Sequence, residues 1–206
     1  MNISASQVKE LRNKTGAGMM DCKNALVHSD GEIDKAIDYL RKTGISKAEK
    51  KGSRDTKEGL VYSYIHAGGK LGVLIELNCE TDFVASNDDF KNLAHNLSMH
   101  IAATNPISIN KNSVDQSIID REKEIYTEQA KSEGKPDNII EKMVSGRLSK
   151  FFQETCLLEQ TFIKDQEKRV SDLITESISK LGENISIRRF IRYAIGEEIS
   201  FNKSYI

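Results

Sequence analysis

Cysteine is scarce in this sequence and follows no metal-binding or disulfide pattern. Three cysteines occur in 206 residues, and they are Cys22, Cys79 and Cys156. There is no CxxC pair or Cys/His cluster, so we do not expect a structural zinc site. An odd number of widely spaced cysteines argues against a disulfide scaffold and fits a reducing, intracellular environment.

Long apolar runs are missing as well. The first residues contain no apolar segment of the kind found in a secretory signal peptide. No stretch approaches the ~18 apolar residues that a membrane-spanning helix needs. We therefore expect a cytoplasmic protein that does not enter a membrane.

The sequence also lacks an excess of basic charge and the common catalytic motifs. Its net charge is −1, whereas proteins that mainly bind nucleic acid are usually strongly basic. No Walker A, dinucleotide-binding or nucleophile-elbow motif is present. The four histidines are scattered and the acidic residues are dispersed. We expect no enzyme activity, no cofactor, no metal and no direct binding of nucleotide or nucleic acid.

The chain is 38% hydrophobic and 30% charged. The pattern of apolar residues in its first part predicts helices. Ser4 and Gln7 form a capping box at the start of the first helix. Gly44 is the expected residue just past the third helix. These signals predict a three-helix module over residues 1–45, followed by a charged linker over residues 46–57.

The remainder, residues 58–206, is predicted to form an α+β core. Segments 59–66 and 71–79 are rich in β-branched and aromatic residues and flank a glycine turn, which predicts a β-hairpin. Two charged helices over about 115–153 predict a protruding antiparallel helical hairpin. A late strand, 185–195, completes a small antiparallel three-stranded sheet with helices on one side, provided that it pairs with the early strands.

One candidate site lies where the second strand ends and the next helix begins. Here Asp82 and Phe83 stand side by side, a few residues before Ser86, which we expect to cap that helix. An aromatic side chain held on a rigid turn is a good anchor for a protein partner. Equally, Phe83 could simply close the small core, and the pattern alone leaves both interpretations open.

Two further patterns suggest binding surfaces. Met19 and Met20 follow a glycine break, and paired methionines suit an adaptable binding surface, although they could also belong to the core of the helical module. Basic and aromatic residues interleave at Arg188, Phe190 and Arg192, as in proteins that bind single-stranded RNA. The simpler interpretation of this last pattern is a half-buried strand with one solvated basic face.

Four long stretches, in this order, closely resemble the elongation factor Ts family, the guanine-nucleotide exchange factors for elongation factor Tu. They run almost from end to end of the chain: LRNKTGAGMMDCKNAL (11–26), GVLIELNCETDFVASNDDF (72–90), GKPDNIIEKMVSGRLSKF (134–151) and KLGENISIRRFIRY (180–193).

The resemblance implies a ubiquitin-associated-like fold for residues 1–45 and elongation factor Tu as the partner. It also implies that a turn after the second strand enters between two helices of the partner's GTP-binding domain, and that a further contact lies near the phosphate-binding loop. The positions that match these contacts are Met19 and Met20, then Thr81, Asp82, Phe83 and Val84, and also Leu181 and Gly182.

The chain departs from the longer family members because it has a single copy of the core. It therefore resembles the short form, in which a homodimer supplies the second half. No cysteine stands at positions 190–192 of the last strand, so the resemblance implies a non-covalent homodimer. His66 of one subunit could then face a partner bound mainly to the other.

Overall fold

A computed structural model describes residues 3–197 of the chain. In this range, the helices are α1 (Ala5–Thr15), α2 (Met19–His28), α3 (Ile33–Lys51), α4 (Asp82–Ala85), α5 (Asp88–Thr104), α6 (Gln116–Ser132), α7 (Asp137–Thr155) and α8 (Val170–Leu181). The strands are β1 (Glu58–Ile65), β2 (Leu71–Cys79), β3 (Thr161–Phe162), β4 (Asp165–Arg169) and β5 (Ile185–Ala194).

The main sheet is antiparallel, and its three strands lie in the order β1-β2-β5. The late strand thus pairs with the early hairpin, and the predicted α+β fold is confirmed. A second, two-stranded sheet formed by β3 and β4 was not expected, because the sequence DQEKR of β4 has no alternation of apolar and polar residues. Within residues 3–197, no helix is both long enough and apolar enough to cross a membrane.

The chain divides into two compact units. The first comprises residues 3–60, 76–94 and 171–188. The second comprises residues 61–75, 95–170 and 189–197. All three strands of the main sheet contribute residues to both units.

The three N-terminal helices of the first unit enclose their own small core. The predicted capping box is present, with the Ser4 side chain accepting from the Gln7 backbone and the Gln7 side chain accepting from the Ser4 backbone. Apolar residues spaced three or four positions apart lie on one face of each helix, and this face packs toward the core. The buried members of this core are Val8, Leu11, Cys22, Ala25, Leu26 and Ala36.

The third helix is longer than the sequence indicated, because α3 continues through Gly44 to Lys51. The prediction that Gly44 ends this helix is wrong. Gly44 is buried, and a Cβ atom built on it would lie 3.3 Å from the hydroxyl of Ser179 on α8. The glycine therefore permits close packing of the two helices. The limits of the predicted module and linker stay predictions.

The start of β1 depends on a glycine that no other residue can replace without rearrangement. Gly59 has a φ of +149°, and a Cβ atom there would lie 2.2 Å from the carbonyl oxygen of Leu77 on β2. Contact this close excludes any side chain. At this end of the hairpin, the backbones of β1 and β2 therefore lie in direct contact, with no side chain between them.

The second unit contains the helical hairpin and a buried polar network. Helices α6 and α7 pack through a thin seam that includes Ala130, Ile140 and Leu148. Nearby, the fully buried His100 bonds through Nε2 to Gln160 Oε1 at 2.9 Å and accepts at Nδ1 from the Ile163 amide at 3.3 Å. Because Nδ1 accepts, Nε2 carries the proton and the ring is neutral.

Candidate functional site

Residues 81–84, here called the 81–84 turn, form a single helical turn directly after β2. Thr81 is its N-cap in an extended conformation, and its hydroxyl accepts from the Val84 amide at 3.4 Å. Helical geometry then sends adjacent side chains in different directions. Val84 is 5% exposed and Phe83 is 81% exposed. Val84 therefore closes the core, and Phe83 stands in solvent beside the exposed Asp82.

Glu183 holds this turn from a segment about 100 positions later in the chain. Its Oε2 accepts from the backbone amides of Glu80 at 3.1 Å and Thr81 at 3.0 Å. Its Oε1 accepts from the Thr81 hydroxyl at 2.6 Å. Hydrogen bonds to a carboxylate are shorter and stronger than neutral ones. One side chain thus fixes both the entry to the turn and its cap.

A second carboxylate makes the reverse connection. Glu80 Oε1 accepts from the Asn184 amide at 2.6 Å, and Arg54 lies 3.4 Å from the same oxygen. The Asn184 side chain, which is buried, donates to the Arg54 carbonyl at 2.8 Å. The end of β2 and the start of β5 therefore exchange hydrogen bonds in both directions.

Cys79, at the end of β2, packs beneath the turn as an unreactive group. Its thiol donates to the Thr81 carbonyl at 3.1 Å. Burial, and after it the negative charge of Glu183, raises the pKa of Cys79 to about 11. A thiol that stays protonated at neutral pH is neither a nucleophile nor a metal ligand.

Met19 and Met20 form a second exposed apolar feature of the first unit. They begin α2 directly after its N-cap, Gly18, which has no side chain to form a capping hydrogen bond. Met19 is 45% exposed and Met20 is 65% exposed, so neither belongs to the core of the helical module. Cys22, three residues after Met19, supplies that core instead.

Leu181 and Gly182 end α8 immediately before Glu183. Gly182 has a φ of +82° and caps the helix by donating to the Ile178 carbonyl at 3.0 Å. That left-handed conformation is the usual glycine helix end. The Gly182 carbonyl accepts from Lys51 Nζ at 2.6 Å. Burial, and then the charge of Arg54, lowers the pKa of Lys51.

The last two turns of α3 connect these features. Lys47 pairs with Asp21, the residue after Met20, at 2.6 Å. One turn later, Lys51 bonds to Gly182, which precedes the Glu183 that holds Thr81. The structure thus joins the methionine pair, the end of α8 and the 81–84 turn within one compact unit.

His66 belongs to the second unit, at the exposed end of β1. Its Nδ1 is 2.9 Å from the Tyr64 hydroxyl. Tyr64 in turn packs edge-on against His95 of α5, whose Nδ1 is 3.1 Å from the Tyr62 hydroxyl. These rings cover one face of β1.

The opposite face of the strands in the second unit is largely apolar and open, with the polar Ser63 of β1 also exposed on it. The apolar side chains on it that alternate with Tyr62 and Tyr64 along β1, together with those from β2 and β5, are exposed by 40% or more. Isolated exposed apolar residues are ordinary, but a contiguous group of this kind marks an interaction surface. This sheet face consists of Val61, Ile65, Leu74, Ile191, Tyr193 and Ile195.

The basic and aromatic residues of β5 do not form a continuous exposed row. Phe190 and Arg192 are only partly exposed, and Arg192 bonds to the Ala102 carbonyl at 3.2 Å and to Glu197 at 2.5 Å. Arg188 is exposed. Arg192, one of the three residues on which RNA binding would depend, is thus engaged within the protein.

Nothing in the described residues points to metal or thiol chemistry. Between residues 3 and 197, no cluster of three or more His, Cys, Asp or Glu side chains is placed to hold a metal ion. Burial is the first cause that raises the pKa of Cys22 and of Cys156, as it is for Cys79.

Met19, Met20, Asp82 and Phe83 were candidates from the sequence and are exposed, whereas the residues that hold them in place were missed. Glu183, Glu80 and Lys51 act over separations of 102 to 131 positions. No periodicity or spacing in a single sequence connects residues so far apart. The only local hint was that Glu183 directly follows Gly182.

Comparison with known proteins gives a consistent result. A family model described as Elongation factor TS matches residues 32–197. The elongation factor Ts of Syntrophomonas wolfei is 60% identical over 197 residues, which cover 96% of this chain and 92% of that protein. That of Geotalea daltonii is 53% identical over 204 residues, covering 99% and 94%. That of Fervidobacterium nodosum is 56% identical over 197 residues, covering 96% and 100%.

Proposed function

The chain belongs to the elongation factor Ts family, and from that membership we propose that it binds elongation factor Tu carrying GDP and promotes release of the GDP, so that GTP can bind. It is a translation elongation factor by family. The exchange activity on this partner, in the cytoplasm, is the proposal. The observation that carries it is the 81% exposure of Phe83 on a turn fixed by hydrogen bonds.

An exposed phenylalanine on a fixed turn is suited to act as a wedge. A phenylalanine ring buries roughly 150–250 Å² when it enters an apolar site, which makes it a strong anchor. Because the turn is already ordered, little conformational entropy is lost on binding. Phe83 inserts between two helices of the GTP-binding domain, and Asp82 rearranges hydrogen bonds beside it.

The chemistry of release needs no acid or base from this chain. GDP is held by its phosphates, by backbone amides of a phosphate loop and by Mg²⁺, which carries the largest local charge. Displacing the helix that supports the Mg²⁺ ligands removes that charge from the diphosphate. By linkage, a factor that lowers the affinity for GDP has its own affinity lowered by GDP to the same extent, so nucleotide rebinding ejects the factor.

Four further residues of the first unit serve docking: the exposed Met19, Met20 and Gly182 and the partly exposed Leu181. Met19 and Met20 contact the GTP-binding domain through flexible apolar side chains, which adapt to the partner surface. Leu181 and Gly182 contact it near the phosphate loop, where the absence of a side chain on Gly182 allows close approach. His66 makes an additional contact from the second unit.

The test is release of fluorescent GDP from preloaded elongation factor Tu, followed in the presence of excess unlabelled nucleotide. The chain should increase the release rate in a saturable manner. Two quantities describe the curve: the maximal rate and the half-saturating concentration of the chain. Release that proceeds at the spontaneous rate at all concentrations would refute the proposed function.

We also propose that the chain forms a non-covalent homodimer through the open sheet face of the second unit. A second copy is the occupant that matches this face best, because an apolar two-fold contact is self-complementary and needs no charge on either side. The chain's near-zero net charge offers little repulsion between copies.

Sedimentation of Ile65→Lys would test the dimer. Ile65 is 66% exposed in the sheet face, so the substitution leaves the monomer fold intact while placing a charge in the contact. The matched control is Ile139→Lys, since Ile139 is also exposed but lies on α7. We expect dimers for the wild type and the control, and monomers for Ile65→Lys. A monomeric wild type would exclude the dimer.

A further inference from the structure

We propose that Glu183 is the positioning residue of the exchange reaction: it sets the orientation of Phe83 and couples the 81–84 turn to the contact at Gly182. This inference rests on the proposed exchange function. Glu183 itself touches neither nucleotide nor metal. It acts through the hydrogen bonds that it accepts from the backbone and the hydroxyl of the turn.

The geometry shows that Glu183 dominates the local restraints on the turn. The hydroxyl of Thr81 donates to Glu183 at 2.6 Å, whereas the capping bond that the same oxygen accepts from Val84 is 3.4 Å long. A bond of the first length to a carboxylate is strong, and one of the second length is weak. Because the Thr81 proton is held by Glu183, its lone pairs face the Val84 amide. The distant carboxylate therefore orients the cap of the turn.

The carboxylate also restrains the backbone on which Phe83 is carried. Two consecutive amides, those of Glu80 and Thr81, converge on Glu183 Oε2 at 3.1 and 3.0 Å. The return bond from the Asn184 amide to Glu80 closes the connection in the other direction. Rotation of the turn about the end of β2 would break these bonds together.

The position of Glu183 in the chain gives the restraint its functional meaning. It directly follows Gly182, whose carbonyl is held by Lys51 of α3. The turn that carries Phe83 and the end of α8 are therefore linked as one rigid element. When Gly182 contacts the partner near its phosphate loop, Phe83 is already aimed. Without Glu183, docking through Met19 and Met20 remains, but part of the binding energy is used to order the turn.

Glu183→Ala tests this inference in the fluorescent GDP release assay, with the full-length chain and saturation curves. We expect the maximal rate to fall about tenfold, because all three hydrogen bonds to the turn are lost and part of the binding energy is then used to order it. The half-saturating concentration should change less than about threefold. A residue with only a structural role would lower the melting temperature without changing this balance between maximal rate and half-saturation.

Asp89→Ala is the matched control. Asp89 also joins a segment after β2 to α8, by its ion pair with Lys180 at 2.7 Å, but through a different partner from the turn. It should retain the wild-type maximal rate. If Asp89→Ala slows release as much as Glu183→Ala does, general loosening near α8 explains the effect and the inference fails. A wild-type maximal rate in Glu183→Ala, or a change confined to half-saturation, would also overturn it.

Two variants keep the inference testable if Glu183→Ala does not fold. Glu183→Gln retains a carbonyl oxygen for the two amides but cannot accept the Thr81 proton, so its maximal rate should lie between those of the wild type and Glu183→Ala. In a double-mutant cycle with Thr81→Val, the losses from Glu183→Gln and Thr81→Val should not add, because both remove the same bond. Additive losses would refute the assigned route. A wild-type chain with no exchange activity would instead refute the proposed function itself.

Discussion

The 81–84 turn and the start of α2 both expose apolar side chains, but they expose them in opposite ways. Phe83 projects from a turn that is held by three hydrogen bonds to Glu183. Met19 and Met20 begin a helix whose N-cap, Gly18, provides no side-chain hydrogen bond. One surface presents a rigid ring on a restrained backbone, and the other presents flexible thioether chains at an uncapped helix end.

This difference suggests that two parts of one surface have separate roles: one docks on the partner, and the other displaces groups in the partner. Flexible methionines adapt to a partner and lose side-chain entropy on binding, so they suit contacts that persist throughout exchange. A pre-ordered aromatic ring loses little entropy, and its binding energy is available to move groups in the partner. The contrast leads to predictions that separate rate, affinity and stability.

The largest expected effect is on rate and comes from Phe83→Ala. Loss of an aromatic anchor should lower the maximal rate of GDP release by about 30-fold, with a much smaller change in half-saturation. Because Phe83 is 81% exposed, the melting temperature should stay at the wild-type value. A raised half-saturating concentration with an unchanged maximal rate would show that Phe83 is a docking residue like the methionines, and equal losses in rate and affinity would argue against the wedge role.

The adjacent residue should behave in the opposite manner. Val84 is 5% exposed, so Val84→Ala should lower the free energy of unfolding by about 2 kcal/mol through lost burial and a cavity. Urea denaturation of Val84→Ala and Phe83→Ala in parallel measures this directly. If Phe83→Ala proves the more destabilising, the ring packs on the core and the wedge role is untenable.

The double variant Met19→Ala, Met20→Ala should change docking alone. We expect the half-saturating concentration to rise about tenfold and the maximal rate to stay within about twofold. Ile125→Ala is a suitable control, since Ile125 is exposed on α6. A fall in maximal rate with unchanged half-saturation would remove the distinction between the two surfaces.

The smallest effect should come from pH and should affect the second unit. Burial lowers the pKa of His100 below 6.5, so the folded chain keeps this histidine neutral while the unfolded chain takes up a proton. The stability that this difference contributes is therefore present above pH 6.5 and is lost as the pH falls below it. Melting temperatures between pH 7.5 and 5.5 test this.

His100→Gln should reduce that pH dependence. A wild-type slope in His100→Gln would show that other groups cause the loss of stability.

Much of the fold follows from local patterns in the sequence. The capping box at Ser4, the hairpin of β1 and β2 and the paired helices α6 and α7 all arise from signals within a few residues, and the structure contains them. The exposed positions of Met19 and Met20 were among the alternatives, although the pattern alone could not decide between surface and core. These elements could be predicted because neighbouring residues determine them.

Other features depend on contacts that no local pattern reveals. Glycine is typical of helix ends, yet Gly44 lies inside α3, where it packs on Ser179. For the same reason, Phe83 and Val84 could not be distinguished before the turn and its burial were seen. The hydrogen bonds of Glu183 and Lys51 belong to tertiary structure alone.

The buried cysteines have a practical consequence for labelling chemistry. All three thiols of the chain are buried and have raised pKa values, so very little thiolate is available at neutral pH. A cysteine introduced at the exposed Ala67, at the tip of the β1–β2 hairpin, would therefore be the one that maleimide dyes modify rapidly. Fluorophores can be attached at a chosen point without first removing a native thiol.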